Sequence, residues 1–399
     1  MLIKETRRKV KEGLGRVKFY NSTKVISDFC IDDVLLMAIF SEQNVCLVGS
    51  SGTGKTLLAR SVLSSVFSDF SDVRCYPGLK KEELFGDLDF EVIKSGGHLR
   101  DAFKSSELVN SDALLIDEIN RAPTPIQNIF LDVLQGELSI EGKRYPVGRG
   151  GYFVVFATAN IGNRYAGTFT MDPALKERFS IEIPVDCFAP SFEDKERVIR
   201  ERKSGRIVLK EDERGEVVER GELVQERDRI REIKLSEDAI LFLQYLEMLD
   251  ICEKSPTGRK RDSNFLPSYC KSCRFLDKGC RFIISGLSIS TIRDIASFSR
   301  TYAAFKGHED VKLEDVIEVC PLFLYKGLVL DSEFEKNFWG NRYEAVRSLL
   351  QGFIILNFKE RSEIVKDYLE TPWKSKLKRM VLEDKDIHSL KKYFGLIKH

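Results

Sequence analysis

The stretch Val45-Cys46-Leu47-Val48-Gly49-Ser50-Ser51-Gly52-Thr53-Gly54-Lys55-Thr56-Leu57-Leu58-Ala59-Arg60 sets the fold of this chain. Four apolar residues predict a buried strand, residues 49–56 satisfy G-x-x-x-x-G-K-[ST], and the run that follows favours a helix. Glycines at these places let backbone N–H groups turn inward around phosphate oxygens, and the helix N-terminus adds partial positive charge. Gly49, Ser50, Ser51, Gly52, Thr53, Gly54, Lys55 and Thr56 are therefore the candidate contacts to a nucleoside triphosphate. Lys55 would reach the β- and γ-phosphates, and the Thr56 hydroxyl would ligate Mg²⁺.

Downstream, Ala113-Leu114-Leu115-Ile116-Asp117-Glu118 reads as a second buried parallel strand with two acids at its carboxyl end. Open α/β sheets place their ligands there. Asp117 would hold Mg²⁺ through water, and Glu118 would polarise an attacking water. A third strand, Tyr152-Phe153-Val154-Val155-Phe156-Ala157-Thr158-Ala159, ends in Asn160, placed to hold that water between Glu118 and the γ-phosphate. Asp172-Pro173-Ala174-Leu175-Lys176-Glu177 then opens a helix that delivers Arg178, a cation suited to charge developing on a transferring phosphoryl group. Together these residues predict an α/β fold, a P-loop core with a parallel sheet.

These residues resemble a known family. Leu114-Leu115-Ile116-Asp117-Glu118-Ile119-Asn120-Arg121-Ala122-Pro123 looks like the second nucleotide motif of the MoxR-type AAA+ ATPases. So do Glu82-Glu83-Leu84-Phe85-Gly86, Leu134-Gln135-Gly136-Glu137-Leu138-Ser139-Ile140 and Gly142-Lys143-Arg144-Tyr145-Pro146. Tyr165-Ala166-Gly167-Thr168 before Met171-Asp172 resembles the related dynein-like branch. The resemblance extends to a helical lid through Gly286-Leu287-Ser288, Ala303 to Val311 and Glu314-Asp315-Val316, and covers residues 25–330. It implies ATP hydrolysis with Mg²⁺ in a homo-oligomer, a hexameric ring with Arg178 serving the neighbouring subunit. It also implies chaperone-like remodelling, with a von Willebrand A-domain protein as partner. The family's sensor arginine falls on Ser290 here; Arg293, three residues on, is the candidate substitute on nearly the same helix face.

Composition agrees with a soluble cytoplasmic protein. The 399 residues are 43% hydrophobic and 31% charged, and 63 Lys+Arg nearly balance 62 Asp+Glu. That balance provides no global field for nucleic acid or an anionic membrane. No apolar run reaches the ~18 residues of a membrane span, so no membrane insertion is expected. The N-terminus lacks a signal-like apolar core.

The predicted organisation is an arm over residues 1–24, a nucleotide-binding core over 25–190, a charged connector over 191–235, a helical lid over 236–330 and a helical extension over 331–399. Strands are expected near Val45–Val48, Val73–Tyr76, Ala113–Ile116, Phe153–Ala157 and Ile181–Val185, with a hairpin over Glu137–Pro146. In the extension, Trp339, Tyr343, Val346, Leu349, Leu350 and Phe353 fall at helical spacing.

Nine cysteines are an odd count and speak against a secreted disulfide scaffold. Cys252, Cys270, Cys273 and Cys280 cluster in a turn-rich insertion of the lid; a structural Zn²⁺, an iron–sulfur cluster, a Cys270–Cys273 disulfide and free thiols all fit. Cys30, Cys46, Cys75, Cys187 and Cys320 sit among apolar residues and read as core. Two other functions remain open from sequence: a nucleic-acid motor or GTPase on the same core, favoured by Gly258-Arg259-Lys260-Arg261 and a basic tail, and a nucleotide-gated scaffold with little turnover.

Overall fold

A computed structural model describes residues 2–16, 23–68, 70–85, 94–96, 111–140, 143–148, 151–160, 169–188, 190–200, 218–249 and 279–359. They divide into two compact units, one of Met1–Glu232 with Ala304–Lys306, the other of Ile233–Ala303 with Gly307–His399.

Among the described residues, the first unit holds nine short strands together with helices. β1 (Lys24–Ile26) and β2 (Phe29–Cys30) form a small antiparallel pair. They lead into the buried helix Ile31–Ser41. β3 (Val45–Gly49), β4 (Ser71–Arg74), β5 (Ala113–Asp117), β8 (Val154–Asn160) and β9 (Ile181–Pro184) make one sheet in the order β4-β5-β8-β3-β9, parallel throughout. Between β5 and β8, β6 (Glu137–Ile140) and β7 (Lys143–Pro146) pair antiparallel, the hairpin expected from the alternation around residue 141.

The three inner strands, β3, β5 and β8, lie where the apolar runs place them, because a parallel sheet covered on both faces demands continuous hydrophobic strands, whereas the edge strands β4 and β9 carry charged residues. β4 begins two residues earlier than expected, at Ser71; Cys75 continues its edge by donating its N–H to the Asp117 carbonyl at 2.8 Å. The register sets Gly49 opposite Asn160, and Arg74 opposite Asp117, so the chemically distinctive residues share the sheet's carboxyl edge.

The N-terminal segment is a helix, Leu2–Arg16, that buries Ile3, Thr6, Val10 and Leu14. Its Arg7 donates to Asp33 at 2.7 Å, anchoring the helix to the one at Ile31–Ser41. Burial works against the Asp33 charge, but the Arg7 hydrogen bond, Lys11 and the Cys30 N–H outweigh it and hold the carboxyl below its ordinary range. Where a charged connector is expected, helices Phe192–Arg200 and Arg220–Arg231 form.

The second unit is helical, with Glu237–Glu247, most of Ile289–Lys306, Leu313–Gly327, Ser332–Lys336 and Arg342–Leu349, continued by a π turn at Leu350–Ile354. One short pair, β10 (Ile283–Ser285) and β11 (Val329–Leu330), accompanies them. Leu241, Leu243, Leu246, Ile295 and Phe298 are buried, as their periodicity requires. Trp339 departs from its expected helical face: it ends a turn at φ 60° with its side chain 98% exposed, and Asn341 caps a new helix that buries Tyr343, Val346 and Leu349. Two of the cysteines read as core, Cys30 and Cys187, are only half-buried, whereas Cys46, Cys75 and Cys320 are buried. Burial pushes the Cys75 thiol up to about 12. Among the described residues, no helix is long and apolar enough to cross a membrane.

Candidate nucleotide site

The loop after β3 takes its shape from two glycines in the left-handed region, Gly52 and Gly54, both at φ 83°, a conformation that costs residues bearing a Cβ. Helix Lys55–Val66 starts directly from it, aiming its first N–H groups along the loop. The Lys55 ammonium is buried and donates to the Gly49 carbonyl at 2.9 Å and the Ser50 carbonyl at 2.6 Å. Burial pulls its pKa below the ordinary lysine value, opposed by the nearby charges of Asp186, Asp117 and Glu118.

Asp117 and Glu118 stand together at the end of β5. The Thr56 hydroxyl donates to Asp117 Oδ1 at 2.5 Å, which joins the phosphate loop to the second motif. Thr158 of β8 donates to the same oxygen at 2.7 Å and accepts the Glu118 N–H at 2.9 Å. Glu118 itself adopts φ 55°, in the left-handed region, where the 3₁₀ turn Ile119–Arg121 begins. Asn160 Nδ2 donates to Glu118 Oε1 at 3.1 Å, and Arg121 Nη1 donates to Oε2 at 2.9 Å. Asn120 in turn fixes Asn160, donating to its carbonyl at 2.9 Å and accepting its N–H at 3.3 Å.

These groups line a cavity of about 700 Å³ whose walls include Gly52, Lys55, Thr56, Asp117, Glu118 and Asn160. Lys195, Ile199 and Arg74 complete it, the first two from the helix Phe192–Arg200. That volume suits a nucleotide-sized ligand. The donor set also fits a hard divalent cation: a hydroxyl and a carboxylate in contact, with room in the cavity beside them for the waters that Mg²⁺ retains.

Lys55, Thr56, Asp117, Glu118 and Asn160 are thus brought together as their sequence positions suggest. Arg178 is not. It caps the short helix Pro173–Glu177, whose N-terminus is closed by Asp172, and it is exposed outside the cavity. Arg293 belongs to the other unit, where its side chain is 78% exposed and lies 4.0 Å from Asp294. Of the cysteine cluster, Cys252, Cys270 and Cys273 lie outside the described residues, and Cys280 is half-buried. Tyr165 to Thr168 also lie outside them.

Sequence reasoning missed the supporting residues. Thr158 stands inside a quoted strand, and Asn120 and Arg121 stand inside a quoted motif, so their positions were visible but their contacts were not. Asp186 had no signal beyond its place after a strand, yet it accepts the Ser50 N–H at 2.8 Å and the Ser50 hydroxyl at 2.7 Å.

The chain is similar to known proteins. Residues 44–179 match the AAA domain of the dynein-related subfamily. Chaperone MoxR1 of Mycobacterium tuberculosis is 27% identical over 299 residues, which cover 74% of this chain and 70% of that protein. An uncharacterized protein of Staphylococcus haemolyticus is 34% identical over 160 residues; the match covers 37% of this chain and spans only 58% of that relative's length. In fold, a candidate ATPase from Cytophaga hutchinsonii superposes with a TM-score of 0.63 at 20% identity, covering 88% of this chain and 96% of that one. With the phosphate loop, the acid pair and Asn160 assembled on one parallel sheet, residues 44–179 form an AAA domain of the dynein-related subfamily, in a chain similar over most of its length to a MoxR-type protein.

Proposed function

We propose that this chain hydrolyses ATP with Mg²⁺ in a ring of identical subunits, in the cytoplasm, and uses the cycle to remodel a partner protein complex. The observation that carries the reading is the single cavity lined by Lys55, Thr56, Asp117, Glu118 and Asn160. Residues that merely bind a nucleotide need no carboxylate held by an amide beside the loop. Here the Glu118 carboxylate has that amide, Asn160, at 3.1 Å.

Each residue then has a task. The loop N–H groups and Lys55 bind the triphosphate and neutralise charge on its outer oxygens. Thr56 and Asp117 would hold Mg²⁺, which when bound stabilises charge on the β- and γ-phosphates. Glu118 accepts the proton-bearing face of a water and orients it, and Asn160 fixes the carboxylate in that orientation. Positioning and charge stabilisation supply most of the rate in phosphoryl transfer, so a rigid sheet edge is a suitable platform. Arg178, exposed and outside its own chain's cavity, serves the site of the neighbouring subunit. The name of the Mycobacterium tuberculosis relative, a chaperone, supports a protein client, and the family resemblance points to a von Willebrand A-domain protein.

Steady-state ATPase assays on Lys55→Ala and Glu118→Gln test this. Both should lose turnover by roughly a hundredfold or more. The first should also lose ATP affinity, while the second should keep ATP bound and co-purify with its client. Wild-type turnover in either variant would sink the assignment.

A further inference from the structure

We propose that Asp186 is a positioning residue for the phosphate loop, gripping Ser50 from behind so that the loop is preset to receive the triphosphate. The inference rests on the ATP-binding reading above and deepens it.

Asp186 lies in the 3₁₀ turn Val185–Cys187 that follows β9. Its two carboxylate oxygens accept the Ser50 N–H at 3.0 and 2.8 Å, and one of them also accepts the Ser50 hydroxyl at 2.7 Å. The Ser50 carbonyl, on the other side of the same residue, receives the Lys55 ammonium at 2.6 Å. Ser50 is therefore clamped at both of its backbone groups. A carboxylate suits this place because it only accepts, and all three contacts it makes are with N–H or O–H donors.

The approach is close enough to dictate a neighbouring residue. A Cβ built on Gly49 would stand 2.7 Å from Asp186 Oδ1, so any side chain there would displace the carboxylate. The first glycine of the motif is thus required by Asp186 as well as by phosphate. Asp186 is not among the residues facing the cavity, so it acts through Ser50 and not on the ligand. It also sits at the base of the segment leading to the helix Phe192–Arg200, which supplies Lys195 and Ile199 to the cavity wall. A loop held in this way needs less ordering when the triphosphate arrives.

The test is ATP affinity and turnover in the full-length chain, measured for wild type, Asp186→Ala, Asp186→Asn and Ser50→Ala with a fluorescent ATP analogue and a phosphate-release assay. Asp186→Ala should weaken binding by roughly tenfold and raise KM alike, with kcat changed little. Asp186→Asn keeps an acceptor for the Ser50 N–H and should restore most of the affinity. Ser50→Ala removes only the hydroxyl contact and should lose a few-fold, which keeps the test decisive if Asp186→Ala does not fold. Wild-type affinity in Asp186→Ala, or in Ser50→Ala where Asp186→Ala does not fold, would overturn the proposal, as would an Asp186→Asn variant no better than Asp186→Ala. If wild type itself fails to bind the analogue, the ATP reading falls instead.

Discussion

At the scale of single residues, Thr158 joins the two acids of the site. Its buried hydroxyl donates to Asp117 and accepts the Glu118 N–H, so it uses both its capacities on adjacent residues of β5. Thr158→Val is nearly isosteric and leaves the Glu118 N–H without its acceptor and Asp117 with one donor fewer. The expected cost is about 1–3 kcal/mol in urea unfolding, together with a fall in kcat because Glu118 loses its fixed backbone. Stability and turnover both at wild-type values would show that the bridge is incidental. The acids themselves were legible in the sequence, since carboxylates at the end of an apolar strand advertise a ligand edge. Thr158, Asn120 and Asp186 were not, because a hydrogen bond between residues 40 or 136 positions apart is a product of strand order and leaves no local pattern.

Elements were legible in proportion to how much apolar surface each one buries. The three inner strands of the core sheet, β3, β5 and β8, announce themselves because a parallel sheet covered on both faces needs unbroken hydrophobic runs. Helix Arg220–Arg231 does not, for its sequence is charged nearly all round and only Leu223 and Ile230 of its apolar residues are buried. Its place is fixed by ions instead. Arg227, nearly buried, donates to Glu42 at 3.1 Å and to the Gly151 carbonyl at 3.3 Å, and Glu42 also accepts the Phe153 N–H at 3.2 Å. Arg231 adds a second contact to Glu42 at 2.8 Å. Glu42 thus ties this helix to the segment that leads into β8. Arg227→Met should destabilise the chain by roughly 1–3 kcal/mol, since it removes the buried donor shared by Glu42 and the Gly151 carbonyl. Arg231→Met, at an exposed pair, should cost under about 1 kcal/mol. Denaturant midpoints for the two variants would separate the cases, and equal losses would refute the assignment of Arg227 as the anchor.

For the whole molecule, the proposed mechanism turns on Arg178, which lies outside its own chain's cavity. Lys55, Thr56, Asp117, Glu118 and Asn160 share one cavity, yet Arg178 is exposed at the end of the helix Pro173–Glu177 and faces no part of that cavity. An arginine can lower a phosphoryl-transfer barrier only at contact distance from the transferring group. Supplied by a neighbour, it would make turnover conditional on assembly, as the heterologous contacts of a closed ring permit. Subunit mixing tests this directly. Arg178→Ala and Lys55→Ala should each be inactive alone, the first for want of the charge it offers its neighbour, the second for want of nucleotide. Mixed in equal amounts, some interfaces pair the intact loop of one subunit with the intact Arg178 of the next, and turnover should return toward about a quarter of wild type. An Arg178 acting within its own chain would leave every site in the mixture broken, because no subunit carries both residues. Recovery on mixing therefore assigns the arginine to the neighbour; its absence, in a mixture shown by sedimentation to co-assemble, assigns it to its own chain, and an Arg178→Ala that is active alone removes it from the catalytic set.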